Sequence, residues 1–188
     1  MVKSMDMSHY IKPISDRVLD DGFPWYYENG STSSRFPFMS HSVVPRYDLN
    51  KPNFFVTSDL FEPIVNLIDL FCKFQHINFK KVLRINFNMM FSFSEKHTDP
   101  HVDYDIKHKV IILYFSDSNG DTLVFDQKFD PIRDRGGILN QNERNKLIIK
   151  ERIQPKFGKM VCFDGLYHHA NEFCDPSDRR IVLVACIQ

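Results

Sequence analysis

The sequence predicts a mainly β protein with flanking helices, folded as a double-stranded β-helix, or jelly roll. Three observations predict it. Short apolar runs bounded by glycine, proline and polar turn residues follow one another through the second half of the chain. One clear helical face precedes them. His101 and Asp103, two residues apart, have a distant echo in His168 and His169, and the flanking segments read as strands able to build a barrel around such a site.

A length of 188 residues predicts a single domain, 1–188, with a flanking segment at 1–80 and a jelly-roll core at about 81–188. Hydrophobic residues make up 43% and Phe alone numbers 18, enough to fill a sandwich interior. Lys plus Arg and Asp plus Glu each number 24. This balance gives no global electrostatic reason to bind nucleic acid or another polyanion. Cys72, Cys162, Cys174 and Cys186 are widely spaced and fit reduced thiols in a cytosolic setting rather than a CxxC metal or redox pattern. The first residues lack the apolar run of a signal peptide, and no stretch approaches the roughly 18 apolar residues of a membrane span. A soluble, cytoplasmic protein with no membrane partner is expected.

In chain order, residues 1–20 read as a lead-in with one brief helical or strand segment. Phe23-Pro24-Trp25-Tyr26-Tyr27 is a proline-fixed aromatic stretch expected in the core, with a wall of a substrate entrance as the alternative. Residues 28–34 are polar and glycine-bearing, a loop. Phe36 to His41 resumes apolar character, with His41 expected to be structural or at the surface. Residues 50–53 read as a turn, and Ser58 and Asp59 as caps of a helix running from Leu60, whose apolar residues recur every three or four positions. That helix is expected to lie across the outside of a sheet.

From Lys81 the period falls to two. Leu83, Ile85 and Phe87 alternate with Arg84, Asn86 and Asn88, so one strand face is apolar and the other carries a guanidinium and two amides. Such a polar face is either solvated or turned toward a substrate. Residues 110–115 and 121–125 read as two strands joined by a tight turn at 116–120, a hairpin. Residues 126–145, with Gly136 and Gly137, form a long loop of the kind that carries function. Short strands are expected near 146–151 and 160–163, and a long final one over 180–187.

On an extended segment His101 and Asp103 leave the same face. A later histidine, His168 or His169, completes two imidazoles and one carboxylate, the facial set that holds Fe(II) and leaves half its coordination sphere open. His97 and Asp99 repeat the same spacing. Pro100, which restrains the chain just before them, favours His101 and Asp103.

The ordered set His101-Val102-Asp103, Gly120-Asp121-Thr122, Pro155-Lys156-Phe157-Gly158, Phe163-Asp164-Gly165, His169-Ala170 and Arg179-Arg180 resembles the Fe(II)- and 2-oxoglutarate-dependent oxygenases, particularly compact prolyl-hydroxylase-like members of bacteria and phages. The resemblance covers roughly residues 80–188. It implies a cupin-like barrel, Fe(II), 2-oxoglutarate as co-substrate and O2, and hydroxylation of an unidentified substrate with release of succinate and CO2. A phage origin would place the protein in a host cytoplasm. The resemblance selects His169, followed by Ala170, as third ligand. It also implies an arginine for the far carboxylate of 2-oxoglutarate, and Arg180 fits better than Arg179 because it shares a strand face with Val182 and Val184. Tyr114 is the expected hydroxyl beside it, and Arg84, Asn86 and Asn88 are expected to face the substrate.

A prolyl or other peptide residue leads as substrate, again through the likeness. A nucleic-acid or small-metabolite hydroxylase or demethylase is the first alternative, and a non-enzymatic jelly-roll binding protein a further one. A zinc hydrolase could use the same ligands, but it leaves the arginine on the last strand unexplained.

Overall fold

The structure is a computed structural model that describes residues 1–30, 35–46, 55–132, 134, 139 and 141–188. Its elements are β1 (Lys3–Asp6), α1 (Ser8–Val18), β2 (Tyr26–Glu28), β3 (Phe38–Val44), α2 (Phe61–Phe74), β4 (Val82–Met90), β5 (Lys109–Tyr114), β6 (Thr122–Lys128), α3 (Gln141–Arg144), β7 (Ile149–Ile153), β8 (Lys159–Asp164), β9 (Tyr167–Asn171) and β10 (Arg180–Ile187). They build a seven-stranded sheet in the order β1-β8-β5-β10-β4-β3-β2 and a three-stranded sheet in the order β7-β6-β9. All the pairings are antiparallel. This is the two-sheet architecture of a jelly roll.

The position of β10 explains its composition. It lies between β4 and β5, covered on both faces, so it is nearly continuous in apolar residues rather than alternating. Ile181, Leu183 and Ala185 pack with Ile111, Leu113 and Phe87 against helix residues Ile11, Ile64 and Phe71. Val182 and Cys186 instead join Val110, Ile112 and Tyr114 facing Val124 and Ile153 of the small sheet. The even-numbered residues of β10 therefore point into the barrel, and the register Val182↔Asn88, Val184↔Asn86 and Cys186↔Arg84 carries the polar residues of β4 onto that inner face.

The helix expected from Leu60 is α2, with Ile64, Leu67, Ile68, Phe71 and Cys72 buried along one side. Its start differs from the expected cap. Leu60 is the first flanking residue, its N–H reaches Ser58 Oγ at 3.3 Å, and Asp59 pairs instead with Arg17 at 3.0 Å. The segment before residue 81 does more than flank, since β1, β2 and β3 all extend the seven-stranded sheet. The aromatic stretch divides: Phe23 is buried, whereas Tyr26 and Tyr27 on the edge strand are 61% and 65% exposed. His41 is buried and structural, bonded to the Pro24 carbonyl and Ser58 Oγ.

The hairpin expected at 110–125 is absent. β5 pairs with β8 and β10, β6 with β7 and β9, and the turn between them carries the chain from one sheet to the other. Gly120 makes this crossing possible, because a Cβ there would sit 2.7 Å from the Glu172 carbonyl oxygen and 3.0 Å from the Cys174 nitrogen. The expected 126–145 loop holds the short α3, and Gly136 and Gly137 lie outside the described residues, as do residues 31–34 of the earlier loop and the turn at 50–53. Among the described residues no helix is long and apolar enough to cross a membrane.

Candidate active site

One backbone pair joins the two halves of the site. Beyond β4 the chain carries His101 alongside β9, where the His101 N–H donates to the His169 carbonyl at 3.0 Å and the His169 N–H returns the bond at 2.9 Å. Ligand atoms of His101, Asp103 and His169 all lie within 4.8 Å of one another. The His101 Nδ1 lies 2.9 Å from the Asp99 carbonyl oxygen and the His169 Nδ1 lies 3.2 Å from the Tyr167 carbonyl oxygen. A carbonyl only accepts, so both Nδ1 atoms carry hydrogen, and in the neutral form of each ring Nε2 is left with a lone pair, the tautomer a metal ligand needs.

Asp103 is 5% exposed. Its Oδ1 meets the Arg84 guanidinium at 3.3 Å, and its Oδ2 lies 3.5 Å from His169 Nε2 with no hydrogen bond of its own among the described residues. Burial works to raise the Asp103 carboxyl, but His169 and Arg84 outweigh it and hold it well below the usual carboxylate range. Burial, helped by repulsion from His169, pulls His101 down to about 4. A carboxylate and two imidazoles thus converge on a gap that a proton fills with one long bond and a divalent cation fills with three ligand bonds. The residues fit such an ion.

The alternatives lie elsewhere. His97 Nδ1 bonds the Thr98 carbonyl and Asp99 pairs with Arg144 at 2.5 Å. His168 faces the far side of β9, with its Nε2 at 3.6 Å from the buried Asp134 carboxylate. Arg84, expected to face a substrate, reaches the Asp103 carboxylate itself. Asn86 bonds Asn88 Oδ1 at 2.6 Å and the Phe87 carbonyl at 3.0 Å.

Arg180 opens β10 and is 1% exposed, whereas Arg179 is exposed. Its guanidinium donates to the Gly120 carbonyl at 3.1 Å and to Thr122 Oγ1 at 2.6 Å, and it lies 5.5 Å from the Tyr114 ring centroid. Tyr114 bonds Thr122 Oγ1 at 2.8 Å, so hydroxyl, threonine and guanidinium form one cluster. Among the described residues no carboxylate pairs with Arg180, which leaves a buried positive charge uncompensated. On β6, Thr122 is Arg180's partner and Val124 is paired with His169. Two residues of strand separate these points by about 7 Å, roughly the length of a five-carbon dicarboxylate.

Several of these groups carried no readable signal. Ser40 and Ser42 stand opposite Asn88 and Asn86, and Ser40 donates to Glu28 at 2.9 Å. Their place depends on pairing between strands distant in sequence. Thr122 belongs to the Gly120-Asp121-Thr122 motif, yet its bond to Arg180 follows only from the crossing of the chain at Gly120.

No family model matches the chain, and no curated protein matches it. Solved structures do. An oxidoreductase of the 2OG-Fe(II) oxygenase family from Burkholderia pseudomallei is similar over 100% of this chain and 85% of its own, with a TM-score of 0.64 and 13% identity. A Pseudomonas putida prolyl-4-hydroxylase is similar over 100% and 91%, at 0.58 and 9%. The non-heme α-ketoglutarate-dependent epimerase SnoN from nogalamycin biosynthesis is similar over 100% and 78%, at 0.63 and 8%. The chain therefore has the fold of the 2-oxoglutarate–Fe(II) oxygenases.

Proposed function

We propose that the chain is a single-domain Fe(II)- and 2-oxoglutarate-dependent dioxygenase that hydroxylates a peptide or small-molecule substrate. The observation that carries this reading is the buried, uncompensated Arg180 cluster, about one dicarboxylate's length along β6 from the His101, Asp103 and His169 gap. A metal site alone does not call for that charge. A dicarboxylate that bridges the two accounts for both. When bound, iron with 2-oxoglutarate and O2 supplies the oxidising chemistry.

The chain's own residues hold, orient and shield. His101 and His169 present Nε2, with their rings fixed through Nδ1 by backbone carbonyls. Asp103 presents Oδ2 while Arg84 holds Oδ1, which favours a single ligating oxygen and leaves more of the metal open. Arg180 takes the far carboxylate through paired donors, with Thr122 and Tyr114 setting its plane. Asn86 and Asn88, with Arg84, line the inner face toward the substrate. The prolyl-4-hydroxylase among the similar folds supports a peptidyl substrate and the epimerase a small molecule. The zero net charge disfavours nucleic acid. Four free, buried cysteines fit a reducing cytoplasm.

Binding of Mn(II), a redox-inert stand-in for iron, and then of 2-oxoglutarate tests this. Alanine at His101, Asp103 or His169 is expected to abolish Mn(II) binding, with His97→Ala and His168→Ala retaining it. Arg180→Ala is expected to weaken 2-oxoglutarate at least about 10-fold, since it removes a buried charge-assisted pair, and Arg179→Ala to leave it unchanged. Mn(II) binding that survives His101→Ala, or equal effects at the two arginines, overturns the reading.

A further inference from the structure

A second set of ligand atoms meets at Asp103. Those of Asp103, His108 and Cys186 lie within 4.8 Å of one another, and all three residues are buried. His108 lies just before β5 and Cys186 near the end of β10, and neither has a part in the site described above. The His108 Nδ1 lies 2.7 Å from the Ile106 carbonyl oxygen, so it carries the hydrogen and leaves a lone pair on Nε2. That Nε2 is buried with no hydrogen-bond partner among the described residues, in a side chain only 3% exposed. An unpartnered buried imidazole is costly, and a thiol and a carboxylate beside it are the groups that complete a metal's shell.

We propose that Asp103, His108 and Cys186 form a second metal site, selective for a thiophilic divalent ion such as zinc, and that filling it keeps iron out of the triad by taking Asp103. Charge favours the assignment. With Arg84 counting equally in both, a divalent ion held by one carboxylate, one thiolate and a neutral imidazole leaves one positive charge fewer than the same ion in the triad before a co-substrate anion arrives. The thiol proton leaves to solvent when the ion binds. Ligand softness separates the two sites, because thiolate selects zinc and the imidazole–carboxylate set suits iron. Exclusion follows from Asp103 itself. Arg84 holds Oδ1, so Oδ2 is the one oxygen left for either ion. His108 also borders a cavity of about 260 Å³ shared with Lys107, Asp164 and Gln188, whose lining includes neither Asp103 nor Cys186.

Only the exclusion of iron rests on the proposed triad; the second site stands without it. The test uses the full chain, metal-free, titrated with Co(II) as the spectroscopic stand-in for zinc. A thiolate-to-cobalt charge-transfer band is expected in the unaltered chain and in His101→Ala, where the triad is broken. Cys186→Ser, which keeps the volume, and Cys186→Ala are each expected to abolish the band, and His108→Ala to weaken cobalt binding at least about 10-fold, as loss of a ligand does. Added 2-oxoglutarate is expected to draw cobalt to the triad and fade the band. Cobalt bound without a thiolate band in the unaltered chain, which needs no variant to fold, overturns the second site, and so does a band that survives both Cys186 substitutions. A band that 2-oxoglutarate leaves unchanged overturns the exclusion alone. Mn(II) binding to His101→Ala and the band in that same variant fail independently, so the two readings stay distinguishable.

Discussion

At the scale of the residue, the candidate site is marked by bonds left unmade among the described residues, as at Asp103 Oδ2. His101 is held neutral by burial, its pKa pulled from 6.5 to about 4, and Asp103 is held charged by its neighbours. A neutral imidazole needs no proton removed before it binds a metal. The same burial carries a cost in acid. A depressed folded-state pKa contributes stability that is full above about 6.5, the unfolded value, and is lost as pH falls through 4. The metal-free chain is therefore expected to be about 2 kcal/mol less stable at about pH 5 than at about pH 7.5. Burial lowers His108 as well, which adds in the same direction. Urea unfolding of the metal-free chain at the two values measures this, and His101→Gln is expected to remove most of the difference; an unchanged slope in that variant would assign it to other groups. That His101, Asp103 and His169 meet was expected from the ordered set of motifs rather than from His101-Val102-Asp103 alone, since so short a match arises readily by chance. The partner of Arg84 was not, because Asp103 reaches it across a gap in sequence that only the barrel closes.

At the scale of the element, the connection from β5 to β6 decides where Arg180 sits. Gly120 passes against the Glu172 and Cys174 backbone, and its carbonyl accepts from Arg180 Nε. Gly120→Ala places a methyl against fixed backbone and is expected to cost about 1–3 kcal/mol of stability. It is also expected to weaken 2-oxoglutarate while sparing Mn(II) binding. Thermal unfolding and the two titrations check the pair of effects, and a loss of Mn(II) affinity equal to that of 2-oxoglutarate would mean the crossing supports the whole barrel rather than its anion pocket. The sequence announced the two strands and the turn but not that they join different sheets. A hairpin turn and a crossing between sheets use the same glycine and polar residues, and the choice of strand partners is made by the distant β8, β9 and β10. The strand β10 and helix α2 were legible because their patterns are long and one-sided or fully apolar.

At the scale of the whole molecule, ligands add stability by mass action. Mn(II) at about 100 times its dissociation constant contributes about 2.7 kcal/mol, and for a chain of 188 residues this predicts a rise in melting temperature of about 5–10 °C. Mn(II) with 2-oxoglutarate is expected to raise it further, and 2-oxoglutarate without metal to do far less, since Arg180 alone holds only one end; equal rises with and without metal would separate the anion pocket from the triad. The hydrogen-bonded pair between His101 and His169 bears on how the protein is made. His101 and Asp103 leave the ribosome well before β9 is synthesised, so a nascent chain at first holds only two of the three proposed ligands. The proposed three-ligand site therefore assembles only once β9 has emerged and docked beside His101.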